Sequence, residues 1–109
     1  MLTDNIKKEI INSLKLLDLE KVILFGSYAY GSPNDDSDID LLIVTNDDFI
    51  PQNFAEKMSL KLKIANEIDS IREEIPVDLL VYTKPMFKKF VELNSMFARE
   101  ILSKGENLI

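Results

Sequence analysis

Hydrophobic positions among the polar ones first follow a helical spacing, and farther along the chain they join into a short apolar run. Apolar residues recur every three or four positions through residues 6–17, which predicts a first helix that is capped by Thr3 and ends near Asp18. The apolar residues 22–25 come next, and the run stops at Gly26. This pattern is typical of a buried strand that enters a tight turn.

The rest of the chain predicts two more strands and further helices. Residues 31–37 are turn formers, and residues 38–44 predict a central strand that begins with two acids. Apolar positions at helical spacing through residues 54–68 predict a long amphipathic helix that covers one face of the sheet. After Pro76, residues 77–82 are predicted to form a third strand.

Helices are predicted to complete the chain. Pro85 starts a helix that carries Phe87 and Phe90, and a shorter helical turn with Phe97 precedes Gly105. The order helix, strand, strand, helix, strand, helix indicates an α/β (α+β) domain with a small mixed β-sheet and flanking helices. The order of the strands within the sheet stays open.

Composition restricts the possible chemistry. The 109 residues are 46% hydrophobic and 29% charged, which indicates a single folded domain spanning residues 1–109. Cysteine and histidine are absent, so disulfides, thiolate catalysis and Ser-His or Cys-His nucleophile pairs are excluded. Aspartate and glutamate are therefore the only strong metal ligands available.

Charge and hydropathy give expectations about partners and location. The net charge of −6 argues against stable binding to nucleic acid, since such domains usually carry a basic surplus. No apolar run approaches the roughly 20 residues of a membrane span, and the N-terminus is unlike a signal peptide. We therefore expect a soluble cytoplasmic protein that does not bind membranes, and the sequence leaves a homo-oligomer open.

Three aspartates belong to predicted strands. Asp38 and Asp40 project from one face of their strand because side chains alternate, and Mg²⁺ would satisfy both carboxylates while leaving positions for phosphate oxygens. If the strand of Asp78 lies beside that of Asp40, the three carboxylates can hold two metal ions and support phosphoryl or nucleotidyl transfer. We also expect Asp78 to be buried, at a cost that only a function would justify.

A turn after the first strand offers contacts to a phosphate. Gly26 permits close approach, and the Ser27 hydroxyl and neighbouring N–H groups can bind phosphate oxygens. Ser37, directly before the first acid, is a candidate for a further phosphate contact and equally for an ordinary turn or cap role.

Three other interpretations explain the same glycines and acids less well than a metal- and phosphate-binding site does, namely a P-loop, an EF-hand and a solvated turn. The spacing of Gly26 and Gly31 matches a P-loop, but Ser32 stands where the lysine is required. Residues 36–40 are similar to the start of an EF-hand, yet a hydrophobic strand follows instead of the required glycine. A solvated acidic turn would account for these acids alone, but it leaves Asp78 unexplained.

The combined motifs resemble those of a known family. Gly-Ser-Tyr-Ala-Tyr-Gly at residues 26–31 and Ser-Asp-Ile-Asp-Leu at residues 37–41 are similar to the G-S-x-x-x-G and S-D-x-D-L signature of DNA polymerase β-type nucleotidyltransferases, above all the minimal nucleotidyltransferase (MNT) group. The resemblance extends to Asp78 in Pro-Val-Asp-Leu-Leu. At one position the chain departs from the family, because Tyr30 stands where many relatives have arginine.

The resemblance implies a polymerase β-like core, a site and a reaction. Asp38, Asp40 and Asp78 would form the metal-binding and catalytic triad, and Gly26 and Ser27 would bind the triphosphate. The implied reaction moves a nucleoside monophosphate, AMP from ATP with Mg²⁺, to a hydroxyl of another molecule and releases pyrophosphate. In this reaction Asp78 would help to activate the hydroxyl.

The resemblance also implies a partner. MNT proteins are commonly paired with HEPN proteins, so the expected acceptor is a HEPN ribonuclease toxin and the chain would be its antitoxin. Two alternatives stay open. One is a non-catalytic nucleotide-binding module that neutralises the HEPN protein by occlusion, and the other is transfer to a small-molecule hydroxyl, which usually requires a second domain.

Overall fold

Helices cover both faces of a four-stranded sheet in the computed structural model, which describes residues 4–31 and 37–109. The elements in chain order are α1 (Asp4–Leu14), β1 (Leu19–Phe25), α2 (Ser27–Tyr30), β2 (Ile39–Thr45), α3 (Phe54–Glu67), α4 (Asp69–Glu74), β3 (Val77–Tyr82), α5 (Lys84–Leu93), α6 (Met96–Lys104) and β4 (Glu106–Asn107). The predicted α/β class with a small mixed sheet is confirmed.

The sheet has the strand order β3-β2-β1-β4, which the sequence pattern had left open. β1 pairs antiparallel with β2 and with β4, whereas β2 and β3 are parallel. In this register Asp40 lies between Phe25 of β1 and Asp78 of β3. The end of β1 and the starts of β2 and β3 therefore meet at one edge of the sheet.

Two hydrophobic layers fix the sheet between the helices. On one face α1, α3 and α4 pack against alternate residues of the central strands, among them Leu24, Ile39 and Leu41, which are fully buried. On the other face α5 and α6 pack against Leu42 and Val44. Because both faces are covered, the central strands are nearly continuous apolar runs, and the polar Asp40 is an exception on the α5–α6 face.

The structure differs from the predicted elements in several places. The first helix ends at Leu14 rather than near Asp18, and the long helix is divided at Ile68, whose φ of −114° interrupts α3 before α4 begins. β4 was not predicted, because two residues carry no periodic signal. The predicted Thr3 cap and most of the turn over residues 31–37 lie outside the described residues. Among the residues that the structure describes, none of the helices combines the length and apolar character needed to cross a bilayer.

Candidate active site

The turn after β1 is shaped by Gly26. Its φ is +76°, a left-handed conformation that L side chains rarely adopt, and a Cβ at this position would collide with Oδ2 of Asp40. The carbonyl oxygen of Gly26 accepts hydrogen bonds from the N–H groups of Ala29 and Tyr30, both at 3.0 Å, and so begins α2. Glycine is therefore required here for two reasons: the turn needs a positive φ, and the Asp40 carboxylate lies where a Cβ would be.

The three predicted aspartates lie together at the edge of the sheet. Asp40 and Asp78 are direct neighbours in the parallel pairing of β2 and β3, and Asp38 immediately precedes β2. The pKa of Asp40 is raised mainly because the carboxyl is partly buried, and further because the negative charges of Asp78 and Asp38 act on it. The negative charges of Asp38 and Asp78 therefore both act on the Asp40 carboxyl.

The prediction that Asp78 is buried is wrong. Asp40 is half-buried, whereas Asp38 and Asp78 are exposed. β3 is an edge strand, so the start of the strand remains in contact with solvent even though its later residue Leu79 is buried. The carboxylate of Asp78 therefore carries no large desolvation cost, and its position beside Asp40 is what links it to the site.

The carboxylates suit a hard cation by their chemistry. Oxygen donors of this kind are the ligands that Mg²⁺ prefers, and a cation would offset the negative charges of Asp78 and Asp38 that act on Asp40. Within residues 4–31 and 37–109, however, no group of three or more acidic side chains is arranged so that it could hold a metal ion. Because the side chains of Asp38 and Asp78 are exposed, rotation about their side-chain bonds can bring them toward Asp40.

The two predicted serines lie on either side of the acids. Ser27 is the first residue of α2 and is half-buried, directly after Gly26. Ser37 is also half-buried and precedes Asp38. Both serines therefore lie in the chain segments that border the carboxylates.

Tyr30, which stands where many relatives have arginine, lies between the Gly26 turn and the end of the chain. Its ring packs on the α5–α6 face of the sheet, and its pKa is raised mainly by burial, with smaller effects from the charges of Glu100 and Asp40 and an opposing effect of a hydrogen bond from the Gly26 main chain. The Tyr30 hydroxyl is therefore close to Gly26 and Asp40. The ammonium of Lys104, from the far end of the chain, lies 5.9 Å from the centre of the ring. A local motif carries no signal for this contact.

A row of aromatic rings leads from the carboxylates to the surface. Phe25, the β1 neighbour of Asp40, contacts Phe97 of α6 edge-to-face at a centroid distance of 5.7 Å, and Phe97 contacts Phe90 of α5 at 6.1 Å. Phe97 is 46% exposed, and the nearby Leu93 and Met96 are 79% and 80% exposed. We refer to Leu93, Met96 and Phe97 as the α5–α6 patch.

A concave surface lies away from the carboxylates. It is a hollow of about 210 Å³ bordered by Leu19 of β1, Thr45 of β2 and Ile64 of α3. Leu19 begins β1 and Thr45 ends β2, so the hollow lies at the edge of the sheet opposite Gly26 and Asp40. It belongs to a different part of the surface than the candidate site.

Comparison with known proteins identifies a family and relatives that are similar to this chain in sequence. The family model "Polymerase beta, Nucleotidyltransferase" matches residues 8–109. Two proteins of Methanocaldococcus jannaschii, both named "Putative protein adenylyltransferase", are similar in sequence. One is 33% identical over 104 residues, which are 93% of this chain and 92% of the relative. The other is 36% identical over 86 residues, which are 79% of this chain and 81% of the relative.

Solved structures share the fold at lower sequence identity. A crystal structure of a toxin–antitoxin with AMP-PNP is 23% identical, with a TM-score of 0.58 over 94% of this chain and 72% of that chain. A complex of a tri-AMPylated Shewanella oneidensis HEPN toxin with an MNT antitoxin is 21% identical, with a TM-score of 0.53 over 99% of this chain and 72% of that chain.

Proposed function

Because the chain belongs to the polymerase β nucleotidyltransferase family and is adenylyltransferase-like, we propose that it transfers AMP from ATP to a hydroxyl of a partner protein. The observation that carries this proposal is the register that sets Asp40 beside Asp78, directly against the Gly26 turn. Carboxylates and a phosphate-binding turn at one edge of a sheet provide what nucleotidyl transfer requires, namely positioning and charge neutralisation.

The proposed reaction is a displacement at the α-phosphorus of ATP. The acceptor oxygen forms a bond to this phosphorus, the bond to the bridging oxygen of the β-phosphate breaks, and pyrophosphate leaves with the electron pair. Gly26 and Ser27 hold the triphosphate, with Ser37 as a further contact, and Asp78 accepts the proton of the hydroxyl. The exposure of Asp78 supports this last role, since an acceptor from another protein can reach it.

Asp38, Asp40 and Asp78 are also the residues that would hold Mg²⁺. When bound, Mg²⁺ neutralises the triphosphate and stabilises the attacking and leaving oxygens, and three carboxylates are sufficient for two such ions. The pKa of Asp40 is raised mainly by partial burial and further by the charges of Asp78 and Asp38, and this second cause supports the assignment because a cation would stabilise the clustered negative charge.

The α5–α6 patch supports a protein as the acceptor. Exposed apolar residues that lie together commonly mark protein contacts, and this patch adjoins the carboxylates through the contact of Phe97 with Phe25. A shallow hollow of about 280 Å³ between β3 and α5, bordered by Tyr82, Met86 and Leu93, continues the same surface. Together with the family, these features favour a HEPN-type partner over a small-molecule acceptor.

The proposal is tested by following the label from ATP to the partner. With Mg²⁺ and a HEPN-type protein of the same genome, [α-³²P]ATP should label the partner and [γ-³²P]ATP should not. The variant Met96→Lys should lower the labelling by about tenfold or more, because it inserts a charge into an apolar contact.

Leu16→Lys is the matched control for this experiment. Leu16 is 78% exposed but precedes β1, at the edge of the sheet opposite the carboxylates, so its substitution should leave labelling unchanged. Label from the γ-phosphate, or no label from either position, would contradict adenylyl transfer. Equal labelling by the wild type and both variants would contradict the role of the patch.

A further inference from the structure

Lys104 ends α6 directly beside the turn of the candidate site. β4 pairs antiparallel with β1 through Ile23 with Asn107 and Leu24 with Glu106, and this pairing brings the end of α6 to the part of β1 that leads into Gly26. The chain is pressed closely against β1 at this point. A Cβ at Gly105 would meet Cγ2 of Ile23 at 2.6 Å and the carbonyl oxygen of Leu24 at 3.3 Å, so the main chain that follows Lys104 is packed closely against β1.

The side chain of Lys104 extends over Tyr30. Its Nζ lies 5.9 Å from the centre of the ring, and the hydroxyl of that ring is close to the main chain of Gly26 and to Asp40. Lys104 is exposed, and within residues 4–31 and 37–109 no carboxylate forms a salt bridge with it. Its ammonium is therefore held near the turn by an aromatic ring and not by an acid.

A triphosphate at this turn needs positive charge. The turn itself contributes N–H groups and hydroxyls, whereas the carboxylates of Asp38, Asp40 and Asp78, and that of Glu100 near Tyr30, repel phosphate. A cation–π contact at the surface, with the half-buried ring of Tyr30, is weaker than a charge-assisted hydrogen bond to a phosphate oxygen. Lysine also has a flexible stem of four carbons. Lys104 can therefore leave the ring for a bound phosphate with little loss.

We infer that Lys104 is a further nucleotide-binding residue, which contacts the β- or γ-phosphate of a triphosphate held at the Gly26–Ser27 turn. This inference rests on the proposed function, since it presupposes ATP at that turn. Tyr30 acts as the support that keeps the lysine side chain extended toward the site while no nucleotide is bound.

The inference is tested by calorimetric titration with ATP and with AMP, each with Mg²⁺. Lys104→Gln should raise the Kd for ATP by about 10-fold to 100-fold, the effect expected on removing a charged hydrogen bond. The Kd for AMP should change by less than about twofold, because AMP lacks the two outer phosphates. Lys104→Arg keeps the charge and should stay within a few-fold of wild type for ATP.

Lys61→Gln is the matched control, because Lys61 is an exposed lysine of α3 on the opposite face of the sheet. It should bind ATP as the wild type does. Unchanged ATP affinity in Lys104→Gln would overturn the inference while leaving the proposed function intact, and so would a parallel loss for ATP and AMP. If the wild type itself does not bind ATP with Mg²⁺, the proposed function fails, and the inference fails with it.

Discussion

Asp78→Asn is expected to lower transfer of label from [α-³²P]ATP to the partner protein by roughly 10²–10⁴-fold, the contribution typical of a general base. Asparagine keeps the shape of the side chain but cannot accept the hydroxyl proton or neutralise a cation. Asp78 is the direct neighbour of Asp40 across β2 and β3, so the substitution acts on the carboxylate cluster itself.

Complex formation by Asp78→Asn should be preserved. Asp78 is exposed, and exposed substitutions usually change stability by less than about 0.5 kcal/mol, so the variant should fold and bind its partner. Asp69→Asn, on α4 at the opposite face of the sheet, is the matched control and should transfer label normally. If Asp78→Asn restrains the partner as well as wild type and neither protein labels it, the chain acts by occlusion. Full transfer by Asp78→Asn would remove the proposed role of this residue.

The double variant Asp38→Asn with Asp40→Asn is expected to abolish transfer without harming the fold. Both substitutions remove oxygen ligands for a cation, so the triphosphate would no longer be neutralised. In EDTA, however, the wild-type carboxylates repel one another: the pKa of Asp40 is raised mainly by partial burial and further by the charges of Asp78 and Asp38, and the double variant relieves this repulsion. Its melting temperature in EDTA should therefore equal that of wild type or exceed it by roughly 0–5 °C.

Glu73→Gln with Glu74→Gln provides a control of equal charge change. Both glutamates are exposed on α4, which packs on the face of the sheet opposite to Asp40, and their replacement should leave transfer intact. A melting temperature for Asp38→Asn with Asp40→Asn that is well below the wild-type value would identify these aspartates as structural residues instead.

Features that depend on neighbouring residues in the chain could be predicted from the sequence. The apolar run before Gly26, the acidic start of β2 and the strand of Asp78 each have a local signal, because burial on both faces selects continuous apolar residues. The predicted phosphate turn depends on glycine, and the structure explains this requirement through the positive φ of Gly26 and the approach of Asp40.

Features that depend on distant contacts could not be predicted. The parallel pairing that joins Asp40 to Asp78 had to be assumed, since strand order has no local signal in the sequence. The exposure of Asp78 follows from the position of β3 at the edge of the sheet. The contact of Lys104 with Tyr30 likewise depends on β4, a strand too short to produce a pattern.

The central claim is that the carboxylates at the edge of the sheet hold ATP through a divalent cation. Calorimetric titration of the wild-type chain with ATP, once in Mg²⁺ and once in EDTA, tests this claim without a partner protein. We expect at least about tenfold tighter binding in Mg²⁺, because the aspartates repel the triphosphate until a cation neutralises them. Equal affinity in Mg²⁺ and in EDTA would contradict the account.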